Sequence, residues 1–182
     1  MQLVQTVAPT SEPILLEDVK AFAVVFEDMD DDLLTSFITV AREDAENYTN
    51  RQIMSATYEL YTDCLIQDMK MPKNPIQSIT KIEYMDDNGD YQLLSDYYLY
   101  GDGDIFKVHF DTFVSHKSHK KAIKITFVAG YVTVPETIKV YLKHIVSTMY
   151  ENREKFVVGV SVNEMVGNMY KSMLDKYRVQ PL

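Results

Sequence analysis

The spacing of apolar side chains changes twice along the chain, from helical to alternating and back. Met1 to Val7 alternates weakly and predicts a short extended arm. Leu16 to Val24 reads as a short helix with Glu17 and Asp18 in its first turn, where the helix dipole favours anions. Asp30, Asp31 and Asp32 then offer an N-cap and an acidic first turn. Leu33, Phe37, Ile38, Ala41, Ala45 and Tyr48 follow at helical spacing, and Asn50 suits a left-handed terminator. From Ser55 the period becomes two. Tyr58, Leu60, Thr62 and Cys64 share one strand face. Pro72 and Pro75 interrupt the pattern, and Ile79 to Met85 resumes it. Asn88-Gly89 carries the signature of a type I′ hairpin leading into Tyr91–Leu94. Tyr97 to Tyr100, Ile105 to Phe110 and Ile123 to Val128 complete an antiparallel sheet of about five or six strands.

Helical spacing returns after Pro135, with Ile138, Leu142, Ile145 and Met149 on one stripe. A last helix is expected from Ser161, whose hydroxyl would form a capping box with Glu164. Met165, Val166, Met169, Met173 and Tyr177 make its apolar stripe, with Gly167 as a weak point. The expected fold class is therefore α+β: a bundle of N- and C-terminal helices carrying an antiparallel sheet insertion. The expected layout is one domain over 1–182, helical at 1–54 and 134–182, with the insertion at 55–133.

Composition narrows the function. Hydrophobic residues at 46% and charged residues at 25% fit a folded globular chain. A net charge of −9 argues against a sequence-reading DNA binder, which carries a basic face. Cys64 is the sole cysteine, so neither an intrachain disulfide nor a cysteine zinc site is expected. No signal peptide and no apolar run long enough to span a membrane is visible, which predicts synthesis in the cytosol and no membrane partner.

Candidate chemistry is sparse. Gly101-Asp102-Gly103-Asp104 lacks the third glycine of a nucleotide loop and reads as a turn. Asp86, Asn88 and Asp90 begin like a calcium loop, but the glycine stands at the wrong position. His116 and His119 lie among Lys117, Lys120, Lys121 and Lys124, and that positive charge disfavours a metal cation. This loop reads as solvated, with phosphate contact by Lys117, Lys120 and Lys121 as its functional reading. His144 fits a structural, half-buried histidine. No catalytic constellation, metal site or cofactor site is found. Phe156-Val157-Val158 is an apolar run where a polar loop is expected, which suggests either a buried connector or a subunit interface. Tyr177 and Arg178, both common in interface hot spots, are further interface candidates.

Five dispersed stretches share their order with a known family. They are Glu12 to Lys20; Asp31 to Leu34 running on through Ala41-Arg42-Glu43 to Ile53; Pro72 with Pro75 to Ile82; Ile125 to Tyr131; and Val134 to Lys139 followed by Tyr150 to Glu154. Leu174 to Arg178 is similar to the family's closing Leu-x-x-Tyr-Arg. The chain thus resembles the tailed-phage head–tail connector (adaptor) and DNA-packaging proteins, in the longer branch with an inserted sheet. Leu15 departs from the usual capping Thr or Ser, and Val24 from a basic residue. The resemblance implies a structural subunit at the virion head–tail junction, in a ring of about twelve copies under the portal protein. Such a ring extends the channel through which double-stranded DNA passes unread, and meets a downstream head-completion or tail protein. A tail-completion protein and a small enzyme with an unrecognised site are the competing readings.

Overall fold

The computed structural model describes residues 1–102, 105–111, 115–152 and 170–179. The fold is α+β, with mixed helices and antiparallel sheets. It divides into two compact units. One comprises Met1–Thr10, Met54–Val132 and Val179–Leu182; the other comprises Ser11–Ile53 and Thr133–Arg178.

The first unit holds two sheets. Strands β1 (Gln2–Val7), β2 (Ala56–Thr62), β4 (Ile76–Met85), β5 (Tyr91–Leu94) and β8 (Ile123–Ala129) form one sheet in the order β1-β2-β8-β4-β5. Strands β3 (Asp68–Lys70), β6 (Tyr97–Asp102) and β7 (Ile105–Phe110) form the other, in the order β3-β7-β6. The expected single sheet of five or six strands is corrected to two, because Met69 and the β6–β7 pair form a separate ladder. The predicted arm at the N-terminus is an edge strand whose pairing with β2 is offset by a bulge between Gln5 and Val7.

Alternation decides what faces inward. Along β2, Ala56, Tyr58, Leu60 and Thr62 are buried while Thr57, Glu59 and Tyr61 are not. Cys64 lies beyond the end of β2 and is exposed, so the predicted run on that face stops at Thr62. One apolar core serves both sheets: Leu60, Ile82, Ile125 and Phe127 from the larger, Met69, Val108 and Phe110 from the smaller. Tyr58 stacks on Phe127 with centroids 5.7 Å apart. Asn74 is buried but satisfied; its Nδ2 donates to Met71 O (3.0 Å) and its Oδ1 accepts from Phe106 N (3.0 Å). At Gly130, φ is +133° and an added Cβ would lie 2.7 Å from the Met54 backbone, so only glycine fits without strain.

The hairpin between β4 and β5 differs from the predicted type I′ turn. Asn88 does not have a positive φ, whereas Gly89 does, at 97°. Asp86 N donates to Asp90 O (2.9 Å) and Gly89 N to Asp86 O (3.0 Å), giving a three-residue loop. Asp86 Oδ1 also accepts from the amides of Asn88, Gly89 and Asp90. This carboxylate, absent from the Asn-Gly rule, stabilises the longer loop.

In the second unit, α1 (Leu16–Ala23), α2 (Asp31–Thr49) and α3 (Glu136–Glu151) pack on one another. Val19, Leu34, Ile38, Ala45, Ile138 and Leu142 are among the residues they bury. Asn50 ends α2 in the left-handed region at φ 54°, as its residue type predicts. Val24 ends α1 in the same region at φ 56°, which is uncommon for a β-branched residue. Asp30 occupies the N-cap position of α2 without a capping bond; its Oδ2 accepts from Tyr150 OH instead (2.8 Å).

A charged network crosses this unit. Arg42 donates from Nε to Glu12 Oε2 (2.7 Å), from Nη2 to Glu12 Oε1 (3.3 Å) and from Nη1 to Glu46 Oε2 (3.2 Å). Glu46 Oε1 accepts from Gln52 Nε2 (2.8 Å) and Ile53 N (2.9 Å). Burial opposes the charge on Arg42, but Glu12 and Glu46 outweigh it and raise its pKa. The capping box at Ser161–Glu164, Met165, Val166, Gly167 and Met169 lie outside the described residues.

Candidate interaction surfaces

Among the described residues, no three His, Cys, Asp or Glu side chains gather as a metal site would require, and no helix is long and apolar enough to cross a membrane. What the fold displays is a set of surfaces.

The first is the turn between α1 and α2. Lys20 Nζ reaches Asp28 Oδ1 (2.6 Å) and Asp31 Oδ1 (2.7 Å), and Val25 N donates to Lys20 O (2.9 Å). These bonds pin the turn, raise the Lys20 pKa and lower that of Asp28. At its tip Phe26 is 88% exposed and Met29 89% exposed. Sequence reading passed over this turn. Its signal was there: two large apolar residues between acidic ones, off any helical stripe.

The second surface contains Tyr177 and Arg178. Leu174, fully buried, anchors a short 3-10 turn at Asp175–Tyr177. Tyr177 O accepts from Arg51 Nε. The Arg178 guanidinium lies over the Tyr48 ring at 5.3 Å and Lys171 Nζ at 5.7 Å, while Lys176 Nζ lies over the Tyr177 ring at 4.8 Å. Tyr48 OH donates to Asp175 Oδ1 (2.5 Å), which raises the phenol pKa. Tyr177 and Arg178 are thus brought together at the C-terminal end of α2. Phe156, Val157 and Val158 lie outside the described residues. His144 stacks on Tyr170 (centroids 4.6 Å apart) and meets Phe22 edge-on (4.9 Å).

The third surface is the 115–121 loop. Lys117, His119, Lys120 and Lys121 are exposed. Lys117 N donates to Met85 O (3.0 Å) and Tyr91 OH to Lys121 O (2.8 Å), which seats the loop beside the β4–β5 hairpin. Lys121 Nζ lies 4.7 Å from the Tyr61 ring centroid. With Lys120, Asp63, Met1 and Gln2 it lines a shallow depression of about 340 Å³. Lys117 points elsewhere, toward Gly89, so the three lysines do not converge on one point.

A fourth surface is the outer side of the three-stranded sheet. Asp68 Oδ1 pairs with His109 Nδ1 (2.6 Å) and accepts from Tyr100 OH (2.8 Å). The hydrogen bond from His109, then that from Tyr100, lowers the Asp68 pKa. Tyr98 lies beside His109 with ring centroids 4.9 Å apart. The Tyr97–Tyr100 and Ile105–Phe110 strands were expected from the sequence; that Asp68 would sit under them was not, because β3 is only three residues long.

A family model described as head completion protein matches residues 13–177. No curated protein matches the chain. Three solved structures are similar in fold. A chain of the virion of a native gene transfer agent particle is 14% identical, with TM-score 0.80, over 100% of this chain and 97% of that one. A chain from the neck of an empty gene transfer agent particle computed with C6 symmetry is 17% identical, with TM-score 0.80 and the same coverage. One from the neck of a native particle computed with C12 symmetry is 15% identical, with TM-score 0.76, again over 100% and 97%. The dispersed stretches from Glu12 to Arg178 and the family match cover nearly the same span, and the protein belongs to the head completion protein family of phage head–tail connectors.

Proposed function

We propose that the protein is a structural subunit of the head–tail junction, a connector that closes into a ring of about twelve copies beneath the portal. The observation that carries this reading is the family match over residues 13–177. The neck structures, computed with sixfold and twelvefold symmetry, support a ring. In this reading the chain works as one connector domain, with helices from its two ends forming a bundle and the sheet inserted between them. It is not an enzyme; its function is geometric. The ring extends the portal channel, lets double-stranded DNA pass without reading it, and offers its other side to a downstream head-completion or tail protein. The subunit is made in the host cytoplasm and ends in the virion.

The surfaces take roles accordingly. Lys117, Lys120 and Lys121 meet DNA phosphate in a contact that weakens with salt. Tyr177 and Arg178, with Phe156, Val157 and Val158, make protein contacts. An isolated subunit can remain monomeric, because each contact alone need not offset the entropy of association, whereas a portal presents many sites at once.

The test is negative-stain microscopy of the protein mixed with portal particles. Rings capping the portal are expected. Portal particles that recruit no subunit under any salt condition would overturn the proposal.

A further inference from the structure

We infer that neighbouring copies join head to tail through the helical unit, the acidic turn of one copy seating on the cationic–aromatic cluster of the next. The inference rests on the ring reading and supplies its contact. The two surfaces stand at opposite ends of α2, whose 19 residues set them roughly 28 Å apart at about 1.5 Å per residue.

At the N-terminal end, Glu27, Asp28, Asp30, Asp31 and Asp32 follow closely in the chain, and Lys20 pairs with Asp28 and Asp31. Favourable interaction with the helix dipole accounts for acids at this end, but not for Phe26 and Met29, which are almost wholly exposed at the tip. An aromatic and a methionine held out on a turn pinned by Lys20 leave apolar area in water unless a partner covers it. At the C-terminal end, Lys171, Lys176 and Arg178 stand against Asp175, and Tyr48 and Tyr177 supply flat apolar area beneath them. The two ends are complementary in charge and in apolar character: acids around a projecting pair, cations around a ring platform. Neither end complements itself. When each copy offers its two patches to two different neighbours the contact is heterologous, and its repetition generates a ring when the rotation closes. An antiparallel two-fold pair would also match unlike ends, but it would use both patches of each copy at once and close at two; a ring takes the open, repeating arrangement.

The experiment uses the full chain with Cys64→Ser. One population carries Met29→Cys and the other Ser172→Cys, and the two are mixed with a short bismaleimide at low salt. Mixed crosslinks are expected to exceed like-with-like crosslinks by about tenfold, because steering and register both favour the opposite-charge pairing. Glu27→Lys with Asp32→Lys in the first population should remove the excess. So should Lys171→Glu with Lys176→Glu in the second. Combining both reversals should restore it. Glu27→Gln with Asp32→Asn replaces the lysine pair if reversal disturbs α2. Equal yields of mixed and like crosslinks, or yields indifferent to charge reversal, overturn the contact. If portal-bound rings still form in that case, the ring reading stands without it. If mixed crosslinks form but portal particles never carry rings, the ring reading fails alone.

Discussion

The sheet unit fills its interior with Leu60, Ile82, Ile125, Phe127 and Phe110, and keeps its charges on the outer faces of the strands. The helical unit buries Arg42 and Glu46 alongside Leu34, Ile38 and Leu142. Apolar cores tolerate exchange of one hydrophobic shape for another, at a modest cost. A buried ionic network does not tolerate removal of one member, since the partner is then left charged and uncompensated. The network also does something an apolar contact cannot. Arg42 engages Glu12 before α1 and Glu46 on α2, and Glu46 in turn accepts from the Ile53 amide beyond the helix, so the network fixes three chain segments in one arrangement.

The sharpest break of this contrast is Phe127→Ala. Deleting a buried ring at the centre of β8 should cost about 3–5 kcal/mol in urea unfolding. Arg42→Ala should cost about 3 kcal/mol, and Arg42→Met no less, because neither variant satisfies Glu12 and Glu46. A loss below about 1 kcal/mol would place this network with ordinary surface ion pairs and remove the contrast. Gly130→Ala should cost about 1–3 kcal/mol, read by thermal melting, from its positive φ and the Met54 backbone.

A smaller effect separates the charges of the sheet unit from those of the helical unit. The Glu59 carboxylate accepts from Tyr61 OH (2.7 Å) and pairs with Lys124 (2.9 Å); these partners hold its pKa below the ordinary 4.5. Its stabilising share is therefore complete above that value and lost as pH falls through the depressed one. Lys124 is raised above 10.5, chiefly by its bond to Glu59, so its share is complete below that value and lost as pH rises through the elevated one. Carboxyl titration by NMR should find the Glu59 midpoint moving up in Tyr61→Phe and in Lys124→Met. An unmoved midpoint in both would mean that the pair is open to water. Smallest of all, Lys20→Met should leave the melting temperature nearly unchanged while the Val25 amide exchanges faster.

Much of this fold was legible because one periodicity dominated each stretch. Ile123 to Val128 alternates and became the central strand; Leu33 to Tyr48 follows helical spacing and became α2. What escaped depended on long-range pairing. Three residues at Asp68–Lys70 carry too little pattern to announce a strand, and only β7 makes them one. The hairpin was misread because Asp86 stabilises a loop one residue longer than Asn-Gly suggests. Among the surface candidates, residue type alone suggests Tyr177 and Arg178, whereas Tyr48, over whose ring Arg178 lies, stands more than a hundred residues earlier. The pattern at Phe26 and Met29 marks them as off any helical stripe, but their near-complete exposure is set by the folded turn.

The borders of the five-stranded sheet carry a last consequence. β1 is bulged between Gln5 and Val7, and β5 is only four residues long. A long, flat border strand is a template on which any extended chain can polymerise, and bulges and short strands are devices that spoil it. A protein accumulated in many copies and meant to meet its neighbours only in one register gains from borders that refuse strand addition. Amyloid-like growth through these edges is thereby discouraged, and association is left to side chains, whose charges can tell a correct neighbour from a wrong one.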